Sequence, residues 1–183
     1  IIWEEQLQRG VAAEISQALM EEVYTTPKPG LVDREDTGAH TDMNCQTFQK
    51  STEAIAEDLA AMFEAGYSWE ADPKTLFPLL RERGKKTEEK MFVATGGVNT
   101  HKGIIFTIGI LAAAAGISLR NYGKIESEDV CRISLEMTKK ELEQDLRKLK
   151  QSSGITHGEK IYCHLGEKGV RGLAMSGYPI LCE

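Results

Sequence analysis

The chain has 183 residues, of which 41% are hydrophobic and 27% are charged, values typical of a folded domain with one buried core. Its formal net charge of -6 argues against general nucleic-acid binding, because such proteins need a basic surface to release counterions from phosphates. The four cysteines form no CxxC pair, so neither a zinc site nor a disulfide framework is indicated, and we expect reduced thiols in a cytoplasmic protein.

The first half of the chain shows helical spacing of its apolar residues. Residues 3–24 place an apolar residue at every fourth position, which predicts an amphipathic helix. A second helix is predicted over residues 47–65, with Gly66 as its stop. Asp72 followed by Pro73 is a start signal for a third helix. The N-terminal half is therefore predicted to be helical.

The second half continues this pattern. Residues 100–116 are apolar almost all round, which is typical of a central buried helix, and the apolar run is too short to span a bilayer. Residues 127–150 predict a long amphipathic helix with a solvated charged face. Residues 156–159 match a capping box, so another helix is predicted there. We therefore expect an all-α fold, a single compact helical domain over residues 1–183 with long functional loops and no membrane segment.

A glycine-rich turn precedes the apolar helix of residues 100–116. Gly96 and Gly97 let the backbone take positive φ, and Asn99 or Thr100 can cap the helix that follows. Lys102 lies in the first helical turn, where unpaired N–H groups and the helix dipole favour a phosphate. The segment therefore predicts an anion site.

This turn is not a P-loop, although its spacing is similar. His101 stands where that motif has its second glycine, and Gly103 stands where it has the magnesium-binding hydroxyl. The alternative interpretation is a well-capped helix on which Lys102 is merely solvated. Other segments must decide between the two.

The long connection over residues 25–46 carries charged groups in an otherwise compact chain, and loops of this length are usually functional or disordered. Counting an EF-hand from Asp33 puts Asn44 where a bidentate glutamate is required, so calcium binding is not expected. Magnesium held by one or two carboxylates and shared with substrate phosphates remains open, as does a simple turn-forming role. The candidate side chains are those of Lys28, Asp33, Arg34, Glu35, Asp36, His40 and Asp42.

Two further segments near the C-terminus offer polar groups. His157 and Glu159 lie in the predicted capping box, where the alternative is a capping glutamate and a surface histidine. Arg171 lies in the run GVRG, and the flanking glycines leave its guanidinium able to bind a phosphate bidentately.

Four segments together resemble the triphosphoribosyl-dephospho-coenzyme A synthase family, whose best-known member is an accessory enzyme of citrate lyase, with a malonate decarboxylase counterpart. They are TTPKPGLVDR (25–34), GAHTDM (38–43), ATGGVNTHKG (94–103) and THGE (156–159). The resemblance covers nearly the whole chain. Family members continue beyond the position of Glu183, so a C-terminal helical portion is expected to be missing here, and Leu173 stands where the family suggests an acidic residue.

The resemblance implies an all-helical enzyme that transfers the triphosphoribosyl group of ATP to the 2'-hydroxyl of 3'-dephospho-coenzyme A and releases adenine. Its product is the precursor of a prosthetic group, which implies a link to an acyl carrier protein and its prosthetic-group transferase. Alternatives are an ATP-dependent kinase or nucleotide hydrolase, and a non-enzymatic helical adaptor for an acyl carrier protein.

The loops supply groups for each part of this chemistry, which needs a base, a donor to adenine and a phosphate cradle. We predict substrate binding by Lys28, Gly30, Arg34, Gly96, Gly97, Asn99, Thr100, Lys102 and Arg171. We predict Mg²⁺ or ribosyl-cation contacts by Asp33, Asp36 and Asp42. We predict catalytic roles, mainly proton transfer, for Asp33, His40, His101, His157 and Glu159.

Overall fold

The structure is a computed structural model that describes residues 2–149 and 168–181. Within these ranges it contains six α-helices, two single-turn 3-10 helices and no strand, which confirms the all-α prediction. The helix predicted to begin near residue 156 lies outside the described residues, and the single-domain organisation of residues 1–183 stays a prediction. The α-helices are α1 (Ile2–Tyr24), α2 (Cys45–Tyr67), α3 (Phe77–Thr95), α4 (Lys102–Tyr122), α5 (Ser127–Leu149) and α6 (Gly169–Met175), and the 3-10 helices are Pro73–Thr75 and Pro179–Leu181.

Helices α2 and α4 form the centre of the fold. They pack on each other, α1 and α3 flank α2, and α5 and α6 cover α4. Leu59 of α2 and Ala113 of α4 are fully buried in this core. Among the described helices, α4 is long and apolar enough to cross a membrane by length and composition, with half of its most apolar stretch buried inside the protein. Its contacts with α2, α3, α5 and α6 account for that apolarity.

Two glycines predicted near helix ends lie inside helices instead, so those two predicted ends are wrong. A Cβ at Gly66 would lie 2.0 Å from the carbonyl oxygen of Ala113, and one at Gly116 would lie 2.1 Å from that of Phe63. Each glycine therefore permits α2 and α4 to approach backbone to backbone. Helix α4 continues past Gly116 to a left-handed glycine, Gly123, at φ 69°.

The helix starts agree more closely with their sequence signals. Asn44 caps α2 in a reciprocal capping box with Thr47, with N–H···O distances of 3.1 and 3.2 Å. Asp72 accepts the N–H of Lys74 at 3.0 Å and starts the 3-10 turn at Pro73 that leads into α3. The N-terminal part of α2 then lies beside the turn between α3 and α4, which positions the candidate site.

Candidate active site

The turn between α3 and α4 has the backbone conformation expected of its two glycines. Gly96 has φ 69° and Gly97 has φ 94°. The N–H of Gly97 donates to the carbonyl of Phe92 at 2.8 Å and closes the end of α3. A Cβ at either glycine would meet nothing within 4 Å, so the turn is open on that side. A phosphate-binding role for this backbone stays a prediction.

The N-cap residue of α4 differs from the prediction, which was Asn99 or Thr100. His101 is the N-cap residue, and its side chain makes no capping hydrogen bond. Thr100 does not cap the helix, because its Oγ1 donates to Ser51 Oγ at 2.7 Å. Asn99 Oδ1 accepts the N–H of Lys102 at 3.4 Å, a long hydrogen bond. The polar side chains of this motif are thus directed partly towards α2.

A cavity of about 350 Å³ lies between α3, α4, α5 and α6. Lys102 of α4 and Arg171 of α6 both line it, so the fold brings together two of the predicted phosphate-binding residues. Arg81 and Lys85 of α3 also line it, and sequence reasoning missed both because charges on an amphipathic helix look like a solvated face. The other described side chains include Glu88, Asp145 and an apolar floor with Phe77, Ile105 and Phe106.

Carboxylates hold the cations of this cavity in place. Lys102 Nζ lies 3.0 Å from Glu88 Oε2, and both side chains are partly exposed. Arg81 lies 2.7 Å from Asp145 Oδ2, and its guanidinium sits 4.9 Å above the Phe77 ring. Partly exposed ion pairs of this kind contribute little to stability, so a polyanion can compete for the cations. The described lining carries four basic and two acidic side chains, which leaves it positive.

His101 faces away from the cavity and is buried against α2. It is 1% exposed, with its Nδ1 2.7 Å from Ser51 Oγ and its ring edge-to-face with Phe48 at 5.0 Å. Burial lowers the pKa of His101 to about 4, against the opposing effect of the Glu22 carboxylate. The imidazole is therefore neutral at pH 7 and is a weak base.

Asp33 organises the long loop between α1 and α2. Its carboxylate accepts backbone N–H groups from Asp36 at 3.0 Å, Glu35 at 2.8 Å and Lys28 at 3.0 Å. These hydrogen bonds hold the pKa of Asp33 well below its usual range. Its own carbonyl accepts from Cys45 Sγ at 2.9 Å, which ties the loop to the start of α2. Asp33 is thus ionised at neutral pH and fixes the loop, and its lowered pKa makes it a weak base.

The same loop folds back on itself at two glycines. Gly30 has φ 78°, and its carbonyl accepts the N–H of Ala39 at 3.2 Å. Gly38 has φ 56°, and a Cβ there would lie 2.5 Å from the carbonyl carbon of Gly30. The loop is therefore a closed, self-contacting unit, as the two prolines before Gly30 suggest.

The two predicted cations of this loop are held beside α1. Lys28 Nζ donates to the carbonyl of Glu22 at 2.8 Å and lies 3.1 Å from its Oε1. The Arg34 guanidinium stacks on the Tyr24 ring at 4.8 Å. Neither residue is among the described side chains of the 350 Å³ cavity. Lys28 and Arg34 are therefore held against α1, and their part in substrate binding stays a prediction.

The predicted metal ligands do not form a prepared metal centre. Asp36 Oδ1 accepts the N–H of Gly38 at 2.6 Å, and Asp42 lies 3.7 Å from the half-exposed ring of His40. Both carboxylate oxygens of Asp33 already accept backbone N–H groups. Within residues 2–149 and 168–181, no three His, Cys, Asp or Glu side chains are placed to hold a metal ion. The backbone N–H groups leave Asp33 fewer free lone pairs for a metal ion, and its role as a ligand of Mg²⁺ stays a prediction.

Two predicted catalytic residues, His157 and Glu159, lie outside the described residues, and their place relative to the cavity stays a prediction. The roles predicted for the other candidates are likewise predictions at this stage. The described residues thus form a positively charged cavity lined by Lys102, and an ordered loop between α1 and α2. The residue before Lys102, His101, is buried and neutral.

Comparison with known proteins identifies the family. The family model of CitG, ATP:dephospho-CoA triphosphoribosyl transferase, matches residues 8–183. The chain belongs to this family. A probable 2-(5''-triphosphoribosyl)-3'-dephosphocoenzyme-A synthase of Streptococcus pyogenes serotype M3 is 39% identical over 190 residues, covering 96% of this chain and 65% of the relative. The serotype M18 protein of the same name is 39% identical over 188 residues, covering 94% of this chain and 64% of the relative.

These matches confirm the resemblance carried by the four motifs. The chain spans 65% of the length of the first of these relatives. No solved structure matches the chain.

Proposed function

We propose that the protein transfers the triphosphoribosyl group of ATP to the 2'-hydroxyl of 3'-dephospho-coenzyme A with release of adenine. Membership of the family and the names of the Streptococcus relatives support this reaction. The observation that carries it is the cavity in which Lys102 at the start of α4 and Arg171 of α6 come together over an apolar floor. Such a site can hold a polyphosphate on one side and a ring or ribose on the other.

The reaction requires the phosphates to be held rather than cleaved. The bond from C1' of the ribose to adenine breaks, with its electron pair moving to the base, and the 2'-oxygen of the acceptor forms the new bond to C1'. The acceptor hydroxyl loses a proton and adenine gains one, so the step balances without phosphoanhydride cleavage. A cavity with two lysines and two arginines suits this task without P-loop geometry.

The proposal extends to what accompanies the reaction. We propose that ATP enters with Mg²⁺ on its phosphates, because that ion is usually held by one or two carboxylates together with substrate oxygens. The product would feed a prosthetic-group transferase that acts on an acyl carrier protein, in the cytoplasm.

The direct test incubates the complete gene product with ATP, Mg²⁺ and 3'-dephospho-coenzyme A and measures free adenine by mass spectrometry. Formation of adenine together with the triphosphoribosylated acceptor is expected. Production of ADP or pyrophosphate in its place would refute the transferase and favour the kinase or hydrolase alternative.

The cavity itself is tested with matched lysine variants. Loss of one charge-assisted contact costs about 1.5–3 kcal/mol, so Lys102→Ala should raise the KM for ATP about tenfold or more. Arg171→Ala should act in the same direction. Lys124→Ala is the control, because Lys124 is an exposed lysine that pairs with Glu126 at 3.3 Å and does not line the cavity. Equal KM values for Lys102→Ala and Lys124→Ala would place the nucleotide elsewhere.

A further inference from the structure

Gly84 lies in the interior of α3, where glycine is an unfavourable residue. The helix runs over Phe77–Thr95 without interruption, and only proline is less favourable than glycine inside a helix. A glycine at such a position lowers stability unless the missing side chain makes room for a neighbouring group or a ligand. The surroundings of Gly84 therefore decide what the glycine is for.

The space beside Gly84 belongs to the 350 Å³ cavity. Gly84 lines that cavity, and a Cβ built on it would meet no described atom within 4 Å. Gly109 of α4 also lines the cavity, but packing accounts for it, because a Cβ there would lie 2.6 Å from Met62 Sδ. No packing contact accounts for Gly84, so its missing side chain leaves room for a ligand.

Charged residues lie before and after Gly84 on the same face of α3. Arg81 precedes it by three residues and Glu88 follows it by four, spacings that place all three side by side along a helix. Arg81 lies 2.7 Å from Asp145 Oδ2, and Glu88 holds Lys102 Nζ at 3.0 Å. One cation is thus held on each side of Gly84. An extended anion that reaches from one to the other lies against α3 at this glycine.

We propose that Gly84 is a nucleotide-binding position, at which the missing side chain lets the polyphosphate of ATP lie directly against α3 between Arg81 and Lys102. The inference rests on the proposed transferase function, which supplies ATP as the ligand. Coulomb attraction falls with distance, so a side chain at Gly84 weakens binding by holding the phosphates away from the two cations. The partly exposed ion pairs with Asp145 and Glu88 open to admit the anion.

The test measures binding by the complete gene product, without turnover. Isothermal titration calorimetry gives the dissociation constants of ATP and of inorganic tripolyphosphate. Gly84→Ala should raise both about tenfold, which corresponds to about 1.4 kcal/mol, and Gly84→Leu should raise both further. The control is Gly10→Ala, the same change inside α1 at a position that has open space and does not line the cavity. It should change neither constant by more than about twofold.

Thermal unfolding without ligand distinguishes a binding role from a structural one. Gly84→Ala should raise Tm by about 2–4 °C, because alanine favours the helix and its Cβ meets open space. A variant that is more stable yet binds ATP more weakly has lost a ligand contact rather than its fold. A lowered Tm, or unchanged affinity for ATP, would overturn the inference. Weaker binding of ATP with unchanged binding of tripolyphosphate would overturn the placement of the phosphates.

These measurements separate the inference from the function on which it rests. If Gly84→Ala weakens binding of both anions but the wild-type protein releases no adenine, the transferase fails and the binding position stands. If the wild type releases adenine and both Gly84 variants bind ATP as the wild type does, the transferase stands and the binding position fails. A wild-type protein that binds no ATP would refute both.

Discussion

Replacing Gly116 by alanine should destabilise the protein through the contact between α2 and α4. The added Cβ would lie 2.1 Å from the carbonyl oxygen of Phe63 and 2.6 Å from the backbone nitrogen of Tyr67. Both opposing atoms belong to helix backbone, so no side chain can move aside to relieve the contact. The two central helices must therefore separate.

The size of the effect follows from that separation. For the Cβ to reach even 3.0 Å from the Phe63 oxygen, the helices must part by about 1 Å, and a gap of that size forfeits about a quarter to a half of the dispersion attraction between facing atoms. Overpacking typically costs about 1–3 kcal/mol, and we take the upper end because backbone opposes backbone. Alanine returns about 1 kcal/mol of helix propensity. The net loss in unfolding free energy is about 2 kcal/mol.

The matched control is Gly10→Ala, the same substitution inside α1 at a position where a Cβ meets nothing within 4 Å. Thermal unfolding of a chain of this size should show Tm lowered by about 4–8 °C for Gly116→Ala and raised by about 2–4 °C for Gly10→Ala. If both variants gained stability equally, the close crossing of α2 and α4 would not exist, and the reasoning would be refuted.

Three further predictions concern the loop and the core. Gly38→Ala should disrupt the loop over residues 25–46, measured as faster limited proteolysis, whereas Gly123→Ala, which has a similar positive φ but open space, should leave that loop's cleavage unchanged. Because backbone donors hold the pKa of Asp33 well below its usual range, its contribution is complete above the ordinary pKa of about 3.9 and is lost as pH falls towards the lowered value. Asp33→Ala should therefore speed hydrogen exchange of the Asp36 amide at pH 7, with the difference from wild type shrinking in strong acid. Leu142→Ala, at a 1% exposed position, should cost about 2–5 kcal/mol in urea unfolding, and a loss below 1 kcal/mol would contradict its place in the core.

Helical periodicity was sufficient to predict the fold class, because each long helix buries one face or, for α4, nearly all faces. It could not predict where two helices end. Gly66 and Gly116 carry the usual sequence signal of a helix end, but they also remove a Cβ where α2 and α4 cross. Whether such a glycine ends a helix or lies at a helix crossing depends on the partner helix, and the local sequence pattern carries no information about that partner.

The candidate site was predictable where a motif combines unusual residues in a short space. Lys102 and Arg171 belong to such motifs, and they line one cavity. Arg81 and Lys85 belong to an ordinary charged helix face, so only the packing of α3 against α4 and α5 reveals their position.

The type of a residue alone did not predict what its side chain contacts in the fold. Asp33 was predicted to act on substrate or metal, yet its carboxylate is turned into its own loop by three backbone N–H groups. Ser51 carries no motif signal at all, and it becomes informative only because α2 brings it against His101.

The first residues of α4 are joined to two different neighbours. Lys102 reaches Glu88 on α3, and the preceding residue, His101, reaches Ser51 on α2. The N-terminus of α4 is therefore tied to α3 by an ion pair and to α2 by a buried hydrogen bond. A substitution at either residue removes a contact between helices as well as a side chain of the motif.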